Sequence, residues 1–129
     1  MGNTRAWLTV TRERDMASDA DLLRSTLELL VLKSLTWGPR HGYGVADWVK
    51  QSTGGHLLLE EGTLYPALHR LEAKGWIAPE WGVSENNRRA KYYRLAAPGR
   101  AALRVETSTW ERYVAAVAQA LAQTTAEPA

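Results

Sequence analysis

The chain has 129 residues, of which 16 are basic and 14 acidic, giving a net charge of +2. That length supports one domain with a modest core, and so balanced a charge does not by itself announce nucleic acid. The absence of cysteine excludes a disulfide framework and thiolate chemistry; the apolar runs are far too short to span a bilayer, so a cytoplasmic protein with no membrane partner is expected.

Residues 1–17, "MGNTRAWLTVTRERDMA", sustain no period and read as a disordered tail. Its "AWLTV" is too short for the core of a signal peptide. Met16 stands just ahead of the first patterned segment and is an alternative start to Met1. Ser18 and Asp21 then have the spacing of a helix start, where a side-chain oxygen satisfies free backbone N–H groups. From there "DLLRSTLELLVLKSLTW" predicts a helix that stops at Gly38-Pro39. Its leucines cover more than one face, so it must be buried on several sides. In so small a chain that predicts a partner subunit, contacted through Leu23, Leu27 and Leu30.

A second helix is expected from Tyr43 to Thr53, with Val45, Trp48 and Val49 inward and Gly54-Gly55 ending it. The third, "EGTLYPALHRLEAKGW", has Leu64, Leu68 and Leu71 on one stripe and is closed by Gly75. Pro66 is tolerable there if it falls in the first turn, where no N–H bond is needed. "WIAPEWGV" and "KYYRLA" read as strands around the polar loop "SENNRRA". Pro79 makes the first of them short or an edge. The last helix starts near Pro98 and runs to about Thr124. Leu103, Thr107, Trp110, Val114, Val117 and Leu121 alternate four and three apart along it, a heptad-like seam.

Helix, helix, helix, strand, strand, long helix is the winged helix-turn-helix layout, mainly α with a small β-hairpin. Its third helix lies in the major groove and its hairpin, the wing, reaches the backbone or minor groove. The expected division is a tail over 1–17, a DNA-binding domain over 18–96, a dimerisation helix over 97–125 and a frayed end over 126–129. Charge is distributed to match: Arg88, Arg89, Lys91, Arg94, Arg100 and Arg104 cluster with only Glu85 among them.

"LLRSTLELLVLKSLTWGPRHGYGVADWV", "EEGTLYPALHRLEAKGWI" and "GVSENNRRAKYYRLAAPGR" together resemble the PadR family of bacterial winged-helix regulators. The resemblance runs from residue 22 to about 121, and the short single C-terminal helix is similar to the smaller PadR subgroup. It implies a homodimeric repressor whose first and last helices build the dimer. One departure is that the family often caps its last helix with a threonine where Ala96 and Ala97 stand here, a loss of about 1 kcal/mol.

On this reading the third helix supplies the DNA contacts. Ala67 allows close approach to base edges and can touch a thymine methyl. Thr63, with nearby backbone N–H groups, can meet a phosphate. Arg70 can reach guanine or phosphate, and His69 is a lesser candidate. Pro66 lies on the same short surface. Tyr65 either donates to a phosphate or packs under the wing. In the wing, Asn86, Asn87, Arg88 and Arg89 form the tip and Lys91 the return, arginine suiting phosphates and narrow minor grooves. Tyr92 and Tyr93 alternate, so one is buried while the other, Tyr92, can touch the backbone. The plainer alternatives are an amphipathic helix with a solvated face and a charged hairpin that binds nothing.

Other chemistry is weak. Gly42-Tyr43-Gly44 lacks the preceding strand and third glycine of a dinucleotide loop. His41, His56 and His69 are scattered, so no metal site is expected. Glu60-Glu61 reads as a helix N-terminal charge pair. No nucleophile, base and orienting group come together, so neither an enzyme nor a cofactor is expected. Trp37, Trp48 and Trp76 are expected in the core. Trp110 either packs the dimer seam or walls a pocket, since some PadR regulators are similar in enclosing planar effectors. Two function classes remain: a dimeric repressor bound to a near-palindromic operator and relieved by a small aromatic molecule, and a winged-helix module that binds protein rather than DNA.

Overall fold

A computed structural model describes residue 24 and residues 26–127. The expectations for residues 1–17, for the Ser18–Asp21 cap and for Leu23 lie outside them. Helix α1, described at residue 24 and over 26–34, buries Leu27, Val31, Leu32 and Ser34, with Leu35 just beyond its end. The Ser34 hydroxyl donates to the Val31 carbonyl at 2.7 Å, so this buried hydroxyl is paired. Leu27 is only 1% exposed within its own chain. It therefore does not stand on a surface open to a partner, as its place in a many-sided leucine pattern had implied; Leu30 is half-buried.

The chain then forms β1, Arg40–His41, a strand with no sequence signal because its partner lies about fifty residues on. Helix α2, Gly42–Ser52, follows at once, capped by His41, whose Nδ1 accepts the Gly44 N–H at 3.0 Å. Gly54 and Gly55 end it with φ of 60° and 82°. Helix α3 spans Glu61–Ala73. Because it begins at Glu61, Pro66 falls in its second turn rather than its first. The proline removes the donor that the Gly62 carbonyl would otherwise receive, and Gly62 is exposed, which leaves that carbonyl to solvent.

Strands β2, Ile77–Val83, and β3, Arg89–Leu95, form the hairpin. The antiparallel sheet has the order β1-β3-β2, so β2 is an edge strand and Pro79 withholds no ladder bond from a further neighbour. Arg89 and Ala90 belong to β3, and the turn is shorter than the polar run suggested. Asn87 takes φ 59°, and its N–H donates to the Ser84 carbonyl at 2.9 Å. Helix α4, Ala97–Leu121, starts at Ala96 without a side-chain cap. The Ala96 N–H donates instead to the Trp76 carbonyl at 3.0 Å.

The core gathers Leu27, Val31, Leu32 and Leu35 of the first segment with Val45, Leu64, Ala67, Leu68, Leu71, Ile77, Tyr93 and Leu95; Leu103 and Trp76 pack on its rim. Leu103 thus serves this chain's own core. Trp37, expected inside, is 64% exposed; it follows the end of α1, where no element covers it, and lies 5.8 Å from the half-buried Trp48 ring. Among the described residues, no helix is long and apolar enough to cross a membrane.

Candidate nucleic-acid interface

Helix α3 has four distinct sides. Leu64, Ala67, Leu68 and Leu71, spaced three, four and seven apart, face the core. Opposite them Gly62, Pro66, His69 and Ala73 form an exposed stripe. Ala67 is therefore corrected from groove face to core, at 0% exposure. It sits at the same helical angle as the leucines, and its small size reflects close packing within the protein.

The two flanks are tied down. Toward α1, Arg70 Nε donates to Glu28 Oε1 at 2.9 Å and Lys74 Nζ to Glu28 Oε2 at 3.1 Å. Thr63 is half-buried on this side, its N–H bound to the Glu60 carbonyl at 3.0 Å. Toward the sheet, Glu72 Oε1 lies 3.1 Å from Lys91 Nζ on β3. Pairing with that carboxylate raises the Lys91 ammonium above its ordinary value. Lys91 also lies over the Tyr93 ring, at 5.2 Å. It is thus engaged in holding wing to helix, a task its place in the basic cluster did not reveal. Tyr65, half-buried on the same flank, packs against the start of α2. A Cβ on Gly42 would stand 2.9 Å from its hydroxyl, so the packing alternative describes it, against α2 rather than the wing.

At the helix start the Tyr43 hydroxyl donates to Glu61 at 3.0 Å, and this bond to a carboxylate raises the phenol above its ordinary value. At the base of the wing, Tyr92 is half-buried; its hydroxyl donates to the Val83 carbonyl at 3.3 Å and its ring meets His41 at 5.4 Å. Its partner in alternation, Tyr93, is 4% exposed, and burial raises its phenol. Asn86, Asn87, Arg88 and Arg89 are all exposed. The Arg89 guanidinium lies 4.4 Å from the centre of the exposed Trp81 ring, an arrangement that stiffens a long side chain.

Glu28, His41, Tyr43 and Trp81 are members of this surface that the sequence reading passed over. For Glu28 a signal existed: one carboxylate inside "LELLVL" needs a cation if it is to be buried. Beside it a cleft of about 100 Å³ is lined by Glu28, Leu29, Leu32, Lys74, Trp76 and Glu106. Lys74 leans over the Trp76 ring there, at 4.6 Å. On α4, Trp110, Val114, Val117 and Leu121 are all exposed. Among the described residues, no three His, Asp or Glu side chains are grouped to hold a metal ion.

Residues 31–105, more than half of the chain, match the family model described as "Transcriptional regulator PadR-like family". Transcriptional regulator Rv3488 of Mycobacterium tuberculosis is 37% identical over 81 residues, covering 62% of this chain and 71% of that protein. An uncharacterized protein of Lysinibacillus sphaericus is 29% identical over 91 residues, covering 70% of this chain and 84% of its own. Among solved structures, a PadR family transcriptional regulator from Eggerthella lenta superposes with a TM-score of 0.69 at 28% identity, covering 90% of this chain and 99% of that one. A transcriptional regulator from Clostridium thermocellum does so with a TM-score of 0.69 at 27% identity, over 77% and 96%. Family match and shared winged fold agree, and the chain belongs to the PadR-like family of transcriptional regulators.

Proposed function

We propose that this regulator is a homodimeric, sequence-specific DNA-binding repressor relieved by a small aromatic effector. The observation that carries the reading is the pairing of two exposed surfaces. The uncharged outer stripe of α3 can approach bases closely, and the exposed wing tip carries Arg88 and Arg89. Backbone neutralisation by such arginines supplies affinity, while contacts in the groove supply sequence preference. His69 lies on the stripe, and Thr63 and Arg70 border it on the flank toward α1.

The exposed apolar stripe from Trp110 to Leu121 supports a two-fold dimer, because a lone helix does not ordinarily present four such side chains to water. Trp110 and Tyr113, with ring centres 6.3 Å apart, offer flat surfaces suited to a planar effector at that contact.

The test is a pulldown of genomic fragments, beginning with the protein's own promoter, followed by a salt titration of the enriched sites. The expected result is a near-palindromic site with half-sites about 34 Å apart and an affinity that falls steeply with salt. A pulldown without enrichment, together with no salt-dependent binding to duplex DNA, contradicts the reading and favours a protein-binding module.

A further inference from the structure

Arg70 is gripped by one end of its guanidinium. Nε, the nitrogen nearest the side-chain stem, donates to Glu28 Oε1 at 2.9 Å. The remaining N–H donors sit on the terminal nitrogens, in the planar fork that matches a pair of acceptor oxygens or a guanine edge. The Arg70 side chain is 36% exposed, whereas Glu28 is 16% exposed. Glu28 is itself braced: its second oxygen takes Lys74 at 3.1 Å, and Lys74 is seated over the Trp76 ring. Leu29 and Leu32 line the cleft beside it.

Trp76, Lys74, Glu28 and Arg70 thus make a continuous series of contacts that ends on the helix expected to read DNA. We infer that Glu28 is a positioning residue for DNA recognition: by holding Arg70 at Nε it presents the terminal fork, already oriented, to a phosphate or a guanine. The inference rests on the proposed DNA reading. A free arginine loses much rotational freedom when it docks, and restraint before binding removes part of that loss. The opposite role, in which Glu28 competes with DNA for the arginine charge, predicts the opposite sign.

The experiment measures affinity by fluorescence anisotropy for two duplexes, one of random sequence and one selected from a random pool by the wild-type protein. Glu28→Ala is expected to weaken binding about tenfold, the value of a charge-assisted hydrogen bond. Glu28→Gln keeps an oxygen for the Nε–H and should lose about threefold or less. With Arg70→Ala already present, Glu28→Ala should change affinity by less than about twofold. Losses confined to the selected duplex identify a guanine as the target. Equal losses on both duplexes identify a phosphate, and Arg70→Ala alone should then make the salt slope shallower by about one. Tighter binding by Glu28→Ala overturns the inference, and so does an equal loss with and without Arg70, which marks general damage to the fold. Failure of the wild-type protein to bind either duplex overturns the DNA reading itself, a result distinct from any produced by the variants.

Discussion

Gly99, in the first turn of α4, backs directly onto the main-chain carbonyl of Trp76. A Cβ at Gly99 would overlap that oxygen and stand 2.9 Å from Leu95 Cδ1. The same carbonyl accepts the Ala96 N–H, so backbone meets backbone with no flexible side chain to yield. Gly99→Ala should therefore displace the base of α4 and lower stability by about 1–3 kcal/mol. Gly62→Ala is the control. Nothing lies within 4 Å of its Cβ position, and alanine should add about 0.5–1 kcal/mol of helix stability. Urea unfolding of both variants checks the pair of signs.

The wing arginines should act on every DNA sequence alike. Arg88→Ala and Arg89→Ala are each expected to weaken random and selected duplexes equally and to make the salt slope shallower by about one. Trp81→Ala should reproduce part of the Arg89 effect, because the indole under the guanidinium is lost. Unchanged affinity and slope in both arginine variants would remove the wing from the interface.

Alkaline pH should loosen the joint between wing and helix. Burial raises the Tyr93 phenol above its ordinary 10.0. The ion pair with Glu72 raises the Lys91 ammonium above its ordinary 10.5. In each case the folded protein keeps its proton to higher pH than the unfolded chain does. The stabilisation is thus complete below the unfolded values and is lost as pH rises through the folded ones. Stability should be level up to about pH 10 and fall beyond it. Tyr93→Phe removes the phenol and should make the fall shallower. Unfolding midpoints between pH 8 and 12 that overlay for the two proteins would contradict this.

Trp110 is 37% exposed in the single chain, and Val114 and Val117 are exposed to 42% and 39%. Light scattering at micromolar concentration should give a dimer. Trp110→Ala should cost it about 3–5 kcal/mol, seen as dissociation and weaker DNA binding together. A variant that stays dimeric and binds DNA normally, yet no longer responds to an aromatic ligand, would assign Trp110 to a pocket wall instead.

Strong periodicity makes the helices legible in the sequence. Leu64, Leu68 and Leu71 are buried together, and Gly54, Gly55 and Gly75 stop their helices with positive φ. The wing turn was readable because Asn87 tolerates the left-handed conformation it adopts. Ala67 was misplaced because a small residue suits a groove and a tight core equally; its angle beside the leucines was the better guide. Strand β1 and the Glu28–Arg70 contact were out of reach for a different reason. Each joins residues more than forty positions apart, and no local pattern encodes such a pairing. Trp37 shows that an aromatic ring is buried only where another element arrives to cover it.

The attachment of α4 has a mechanical consequence. The helix has 25 residues, yet Gly99 is its one buried residue, with Leu103 packed at the rim of the core. At 1.5 Å per residue it is a rod about 37 Å long, clamped at one end. A tilt of about 10° at the clamp swings the far end by about 6 Å, against the roughly 34 Å repeat of the major groove. If two copies grip each other through these rods, a ligand that shifts the grip by a fraction of a side chain's width can carry the two reading heads out of step with the double helix while each head keeps its shape.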